Sequence, residues 1–283
     1  MGRIVGEATG DVRMRRQVPC IPLEEVMTSP QPIPRLVLLE TGDPGVPGLE
    51  SHSPFCVKVH RGLKVLGLPY ERRYGIPSSF KKYNKAKQVP VLLVADEAVS
   101  GSADILRRIQ QLAGRTFHGT NDPKLEAEAY IWEEYADTCV NGYVVAARWA
   151  DKRNWALVRA SIFRPVPPPM RPLIAFIFRR KLASGLIARD VLRSGEETCW
   201  RRFQEQLDAL ELRAPAEGFW LGRLTSADLA LFGQFQNLRL PETPWQRDQV
   251  ASRKRLSAWL DRVDAYTRQK APDDDMPRAV AAG

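Results

Sequence analysis

Every strand-like pattern in this chain ends by Ser100, and from Asp122 onward only helical patterns remain. A chain ordered this way folds as a small sheet with its own helices followed by an all-helical half, not as one sheet running its whole length. Leu36–Leu39 is a short apolar run in front of the turn-rich Thr41–Gly48, and reads as a buried strand and a loop. Ser53 followed by Pro54 is a helix start, with serine as the cap and proline in the first turn. Val59, Leu63 and Leu66 recur at helical spacing, and Gly67 closes the helix. Pro69–Tyr74 reads as a second strand, Gln88–Val94 as a third that begins beside a proline, and Ala98–Ser100 as a fourth after an Asp96-Glu97 turn. Ser102 then caps a helix through Ile105, Leu106, Ile109 and Leu112 that Gly114 ends. The order is β-α-β, a unit right-handed by rule, and then β-β-α.

The second half reads as helix over Pro123–Trp149, a break at Pro165–Pro169, and helices at Leu173–Leu192, Glu196–Leu212 and Arg253–Tyr266. Thr225-Ser-Ala-Asp228 has the form of a capping box ahead of the apolar Leu229–Phe232. These patterns predict an irregular arm at 1–34, a mixed domain over 36–115, a helical domain over 120–268 and a disordered tail at 271–283. The arm has no apolar stretch suited to a secretory signal. The densest apolar run, Leu173–Phe178, falls far short of the roughly 20 residues a spanning helix needs.

The chain carries a net charge of +9 over 283 residues, and the excess is local. Between Arg148 and Arg193 lie eleven basic residues against two acids, Asp151 and Asp190, while the remainder is balanced. Three readings of this segment stand side by side: a solvated helical face, a field that draws anions to a cleft, and a surface for anionic membrane or an acidic partner. Nucleic acid is not expected, because no binding motif accompanies the charge. The cysteines Cys20, Cys56, Cys139 and Cys199 form no CxxC pair and have no histidine at zinc-ligand spacing, so reduced thiols in the cytoplasm and no metal site are expected. His52, His60 and His118 show no triad or metal spacing and are expected to be structural. No GxGxxG, Walker loop, HExxH or GxSxG occurs.

Four features in order resemble the glutathione transferase superfamily. Ser53-Pro-Phe-Cys56 opens helix one after a strand and loop; Val89-Pro90 is similar to the family's cis-proline turn; Gly101-Ser102 falls where the family has Glu-Ser or Asp-Ser; and Thr225-Ser-Ala-Asp228 resembles its C-terminal capping box. The proline-rich Val46–Val59 stretch is similar to the branch holding the failed-axon-connections and metaxin-like proteins. The resemblance implies an α+β fold: a thioredoxin-like βαβ-ββα domain followed by an all-α glutathione transferase C-terminal domain.

The resemblance also implies a site. Ser53, or else Cys56, would be the active group at the start of helix one, where the helix end favours a thiolate. Ser53 can equally be only a cap, and Cys56 only a small core residue. Val89, extended before Pro90, would pair with the cysteinyl part of glutathione. Ser102 at a helix start would hold the γ-glutamyl carboxylate, and Gln88 with Lys87 would either meet the glycyl end or form only a solvated loop. Gly101 stands where the family places an acid, which loses a usual contact to the ligand's amino group; Asp104 is either a substitute or, the favoured reading, a first-turn partner of the helix dipole. The expected function is conjugation of glutathione, as co-substrate, to a hydrophobic electrophile, by a cytoplasmic homodimer. The alternative is a non-catalytic, metaxin-like interaction protein that uses residues 148–193.

Overall fold

The computed structural model describes residues 33–268 apart from positions 47, 165 and 190. The expected arm, but for its last two positions, and the expected tail lie outside these residues. β1 (Leu36–Glu40), β2 (Glu71–Tyr74), β3 (Val91–Val94) and β4 (Glu97–Ser100) form one sheet in the order β2-β1-β3-β4. Composition explains that order. Leu36–Leu39 and Val91–Val94 are apolar at every position and are buried throughout, so they take the two central places. The polar Glu71–Tyr74 and Glu97–Ser100 stand at the edges, where one side of the ladder meets solvent.

β1 pairs parallel with β2 and antiparallel with β3, and β3 pairs antiparallel with β4. The strands alternate faces. Leu36, Leu38, Leu92 and Val94 pack under α1 (Pro54–Leu66) and α2 (Ser102–Ala113). Val37, Leu39, Val91 and Leu93 cover Phe80, at the end of a short 3-10 turn, on the opposite face. The strand expected from Gln88 begins only at Val91, because Pro90 has no N–H to give the ladder.

The helical half comprises α3 (Pro123–Glu134), a π-helical turn (Tyr135–Val140), α4 (Asn141–Trp149), α5 (Trp155–Ile162), α6 (Arg171–Arg189), α7 (Glu196–Arg213), α8 (Ser226–Leu238), α9 (Pro244–Ala251) and α10 (Lys254–Arg268). The expected single helix over Pro123–Trp149 is thus interrupted by one wider turn. Helices α5 and α9, eight residues each, are too short for an apolar period to show in the sequence. The helical core gathers Phe203, Trp220, Leu231, Phe232, Phe235 and Trp259 around α8.

Helix α8 is buried almost along its length, and its start is built as the capping box expected. Thr225 N donates to Asp228 Oδ2 at 2.9 Å. Asp228 also accepts from Trp220 N at 2.7 Å and from Trp259 Nε1 at 3.2 Å, which ties α8 to α10. Where α8 crosses the first turn of α1, the partner residue is Gly233. A Cβ there would stand 2.6 Å from the carbonyl oxygen of Pro54, closer than any side chain can come. The mixed sheet with its helices and the helical half behind it form the α+β architecture that the patterns predict.

Candidate functional site

The sheet register brings the candidate residues to one end of the fold. Leu39, last but one in β1, pairs with Val91 at the start of β3, and Val91 pairs with Ser100 at the end of β4. The loops leaving β1, entering β3 and leaving β4 therefore meet at this end. Helix α1 runs back from it to reach parallel β2, so Ser53 starts there too. Ser53, Gln88, Val89, Pro90, Gly101 and Ser102 all lie on these connections.

Ser53 caps α1: Cys56 N donates to Ser53 Oγ at 3.4 Å, a long bond, and Ser53 N donates to Ser51 Oγ at 3.2 Å. Pro54 occupies the first turn, and no acid in that turn offsets the positive end of the helix dipole. A hydroxyl offers two acceptor sites and one proton, so capping does not consume its O–H. Cys56 is in another situation. It is 0% exposed, and burial first, then the nearby Glu40, push its thiol well above the ordinary range. The hydroxyls of Ser53 and Ser51 pull the other way without offsetting this. Burial keeps Cys56 a protonated thiol shut away from water at neutral pH, which favours its reading as a small core residue.

Val89-Pro90 is a cis peptide. Gln88 is exposed, and its carbonyl accepts from Asn84 Nδ2 at 3.1 Å. Gly101 has φ +93°, a region that glycine enters freely and other residues do not. An acid in this position would be strained, and its Cβ would lie 3.4 Å from Asp104 Oδ2, so Asp104 already presents a carboxylate there. Arg107 Nη2 donates to that carboxylate at 2.7 Å. Ser102 is buried at the first position of α2, among the amides of the helix start.

Sequence reasoning missed what holds the long 41–52 loop. Its carbonyls are gripped from three sides: Gly48 O by Gln236 Nε2 at 3.1 Å, Glu50 O by Arg72 Nη2 at 2.6 Å, and His52 O by Arg148 Nη1 at 2.6 Å. Arg148 is buried and also meets Asn237. Burial pulls its guanidinium down to about 10, against the pull of Glu242 in the other direction. Burial and the positive Arg148 lower His52 to about 4, so the imidazole beside Ser53 is neutral at physiological pH. Both of its ring nitrogens are buried without a hydrogen-bond partner.

Missed too was the charged underside of α1. Lys58 Nζ lies 2.5 Å from both Glu133 and Asp137. The two acids are four residues apart where α3 enters the π-helical turn, which lets both reach one ammonium. Arg61 sits at ion-pair distance from Glu50 (2.8 Å) and Asp264 (2.7 Å), donates to Thr267 Oγ1 at 2.8 Å, and stacks 4.8 Å from the Phe232 ring. His60 bridges Glu40 (3.0 Å) and Tyr70 (2.7 Å), and Arg72 Nε donates to Glu40 at 2.6 Å. Burial drives the Glu40 carboxyl up, yet His60 and Arg72 outweigh it and hold Glu40 below its ordinary value. These partners lie 10 to 206 residues away in sequence, separations that no helical or strand period encodes.

Two family models match the chain: the N-terminal domain of glutathione S-transferase over residues 51–117 and its C-terminal domain over residues 179–262, together more than half of the chain. No curated protein matches. Among solved structures, a beta-etherase from Sphingobium sp. strain SYK-6 is similar at 20% identity, over 83% of this chain and 98% of that one, with a TM-score of 0.54. Human glutathione transferase theta-2, in complex with glutathione and an unknown ligand, is similar at 19% identity, over 82% of each chain, with a TM-score of 0.55. A glutathione transferase family member from Pseudomonas fluorescens pf-5, with two glutathione bound, is similar at 16% identity, over 82% of this chain and 92% of that one, with a TM-score of 0.52. At these identities the likeness is one of fold. With both domains matched in chain order on that fold, the chain belongs to the glutathione transferase superfamily.

Proposed function

We propose that this protein conjugates glutathione to a hydrophobic electrophile, with Ser53 as the group that stabilises the thiolate. The observation that carries this reading is the meeting of Ser53, at an α1 N-terminus with no acid in its first turn, with Val89-Pro90 and Ser102 at one end of the sheet. The Val89 backbone pairs with the cysteinyl part of glutathione. Ser102 and the amides of the α2 start receive the γ-glutamyl carboxylate, and Gln88 meets the glycyl end. Asp104 supplies the acid that Gly101 lacks and faces the ligand's amino group.

In this arrangement the helix dipole and the Ser53 O–H lower the pKa of the glutathione thiol, whose proton passes to solvent. The thiolate attacks the electrophilic carbon, a carbon–sulfur bond forms, and the leaving group departs with its electron pair. The neutral His52 and the arginine-held 41–52 loop fix the start of α1 while this happens. The protein works as a cytoplasmic homodimer in this reading. The likeness of the Val46–Val59 stretch supports membership of the failed-axon-connections and metaxin-like branch.

Isothermal titration with millimolar glutathione tests the reading, and no heat of binding would end it. With an activated aryl halide as electrophile, Ser53→Ala should lower kcat/KM at least about tenfold, the loss of one charge-assisted hydrogen bond. Cys56→Ala should leave turnover within about twofold, since its thiol is buried and protonated. Unchanged turnover in Ser53→Ala would remove that residue from its role.

A further inference from the structure

Helix α6 (Arg171–Arg189) inverts the usual arrangement of a surface helix. Its inner stripe, with Ala175 and Leu186 buried, packs on α4, and Arg179 pins it by donating to Trp149 O at 3.1 Å and stacking 4.6 Å from Trp155. Its outer stripe is also apolar. Leu173, Phe176, Ile177 and Ile187 are 64%, 59%, 54% and 59% exposed. They follow one another at the three- and four-residue steps of a single helical face, in register with the exposed Arg180, Lys181 and Ser184. Met170, just before the helix, is exposed as well. Helix α6 contains no acid, and it lies within the segment that carries the whole net charge of the chain.

We propose that this outer face of α6 docks on an anionic lipid bilayer surface, lying in the plane of the interface. The charge selects this occupant over a second copy of the chain. A two-fold contact through this face would set Arg180 and Lys181 against their own copies, with no acid on the helix to relieve them. A bilayer of anionic headgroups complements both parts of the face. Leu173, Phe176 and Ile177 enter the acyl boundary, while the stems of Arg180 and Lys181 extend their charges to phosphate. No helix among the described residues is long and apolar enough to cross a membrane, so the contact is peripheral. This docking stands whether or not glutathione binds.

Co-sedimentation of the full chain with large vesicles tests it. Vesicles of phosphatidylcholine with phosphatidylserine should bind the protein at low salt, and binding should fall at least about tenfold at high salt or on phosphatidylcholine alone. R180A/K181A should weaken binding about fivefold for each charge removed. F176S/I177S should abolish binding at every salt concentration. Both pairs are exposed, and an unchanged melting curve shows that each variant is folded. The proposal is overturned by any of three results: no binding to anionic vesicles at low salt, undiminished binding of F176S/I177S, or self-association that F176S/I177S abolishes while vesicle binding remains.

Discussion

Helices α1 and α6 break the rule of polar outside and apolar inside in opposite directions. Helix α1 buries Lys58, His60 and Arg61. Helix α6 exposes leucine, isoleucine and phenylalanine. The first departure is balanced within the molecule: Lys58 and Arg61 meet acids from the 41–52 loop, α3, the π-helical turn and α10 at 2.5 to 2.8 Å, and the His60 ring lies 3.0 Å from Glu40 of β1. Nothing among the described residues covers the second. A buried charge without partners would cost several kcal/mol and prevent folding. An exposed apolar face costs little within one molecule and becomes useful only when something covers it. Inverted polarity inside the fold therefore serves the fold, whereas inverted polarity outside points to a partner.

The sharpest test of this contrast is Lys58→Met. It strands Glu133 and Asp137 in the interior and should lower the stability measured by urea unfolding by about 3–5 kcal/mol. Replacing all three by apolar residues, as Lys58→Met, Glu133→Leu and Asp137→Leu together, should recover most of that loss. If the single change alone were neutral, the underside of α1 would be no better anchored than an exposed face.

A smaller effect comes from Asp228, a buried carboxylate satisfied by N–H and O–H donors in place of a cation. Burial pushes it up to about 6 from 3.8, while its donors pull it down. A folded value above the unfolded one favours folding when the group is protonated. That contribution is complete below 3.8 and is lost as pH rises through about 6. Relative to Asp228→Asn, the wild type should lose roughly 2 kcal/mol of stability between pH 4 and pH 7. A constant difference between the two proteins across that range would show that the hydrogen bonds, not burial, govern this group. Smallest of all, Phe176→Ser on the outer face of α6 should shift stability by no more than about 0.5 kcal/mol. A loss of several kcal/mol would mean that the face is already covered by its own chain.

Local signals were legible in the sequence and distant ones were not. The cap at Ser53, the turn at Val89-Pro90 and the capping box at Thr225–Asp228 each depend on residues a few positions apart, and the structure builds all three. The apolar runs of β1 and β3 were legible as strands, and their central places in the sheet came only with the structure. The arginine segment could not be divided from sequence. Its members separate only in three dimensions, with Arg148 buried on the carbonyl of His52, Arg153 on Asp151 at 2.7 Å and 4.2 Å from Trp245, and Arg180 and Lys181 left outside. Cys56 had the spacing of a reactive thiol, and its burial beside Glu40, which no local pattern reveals, favours the core reading.

The close passage of α8 over the first turn of α1 bears on how such proteins can be recombined. Gly233 leaves no room for even a methyl group above Pro54. Anyone building a chimera from the sheet-bearing half of this chain and the helical half of a relative must carry over a glycine at that crossing. Otherwise the start of α1 will lift, and Ser53 with it, although every residue of the donated half is intact.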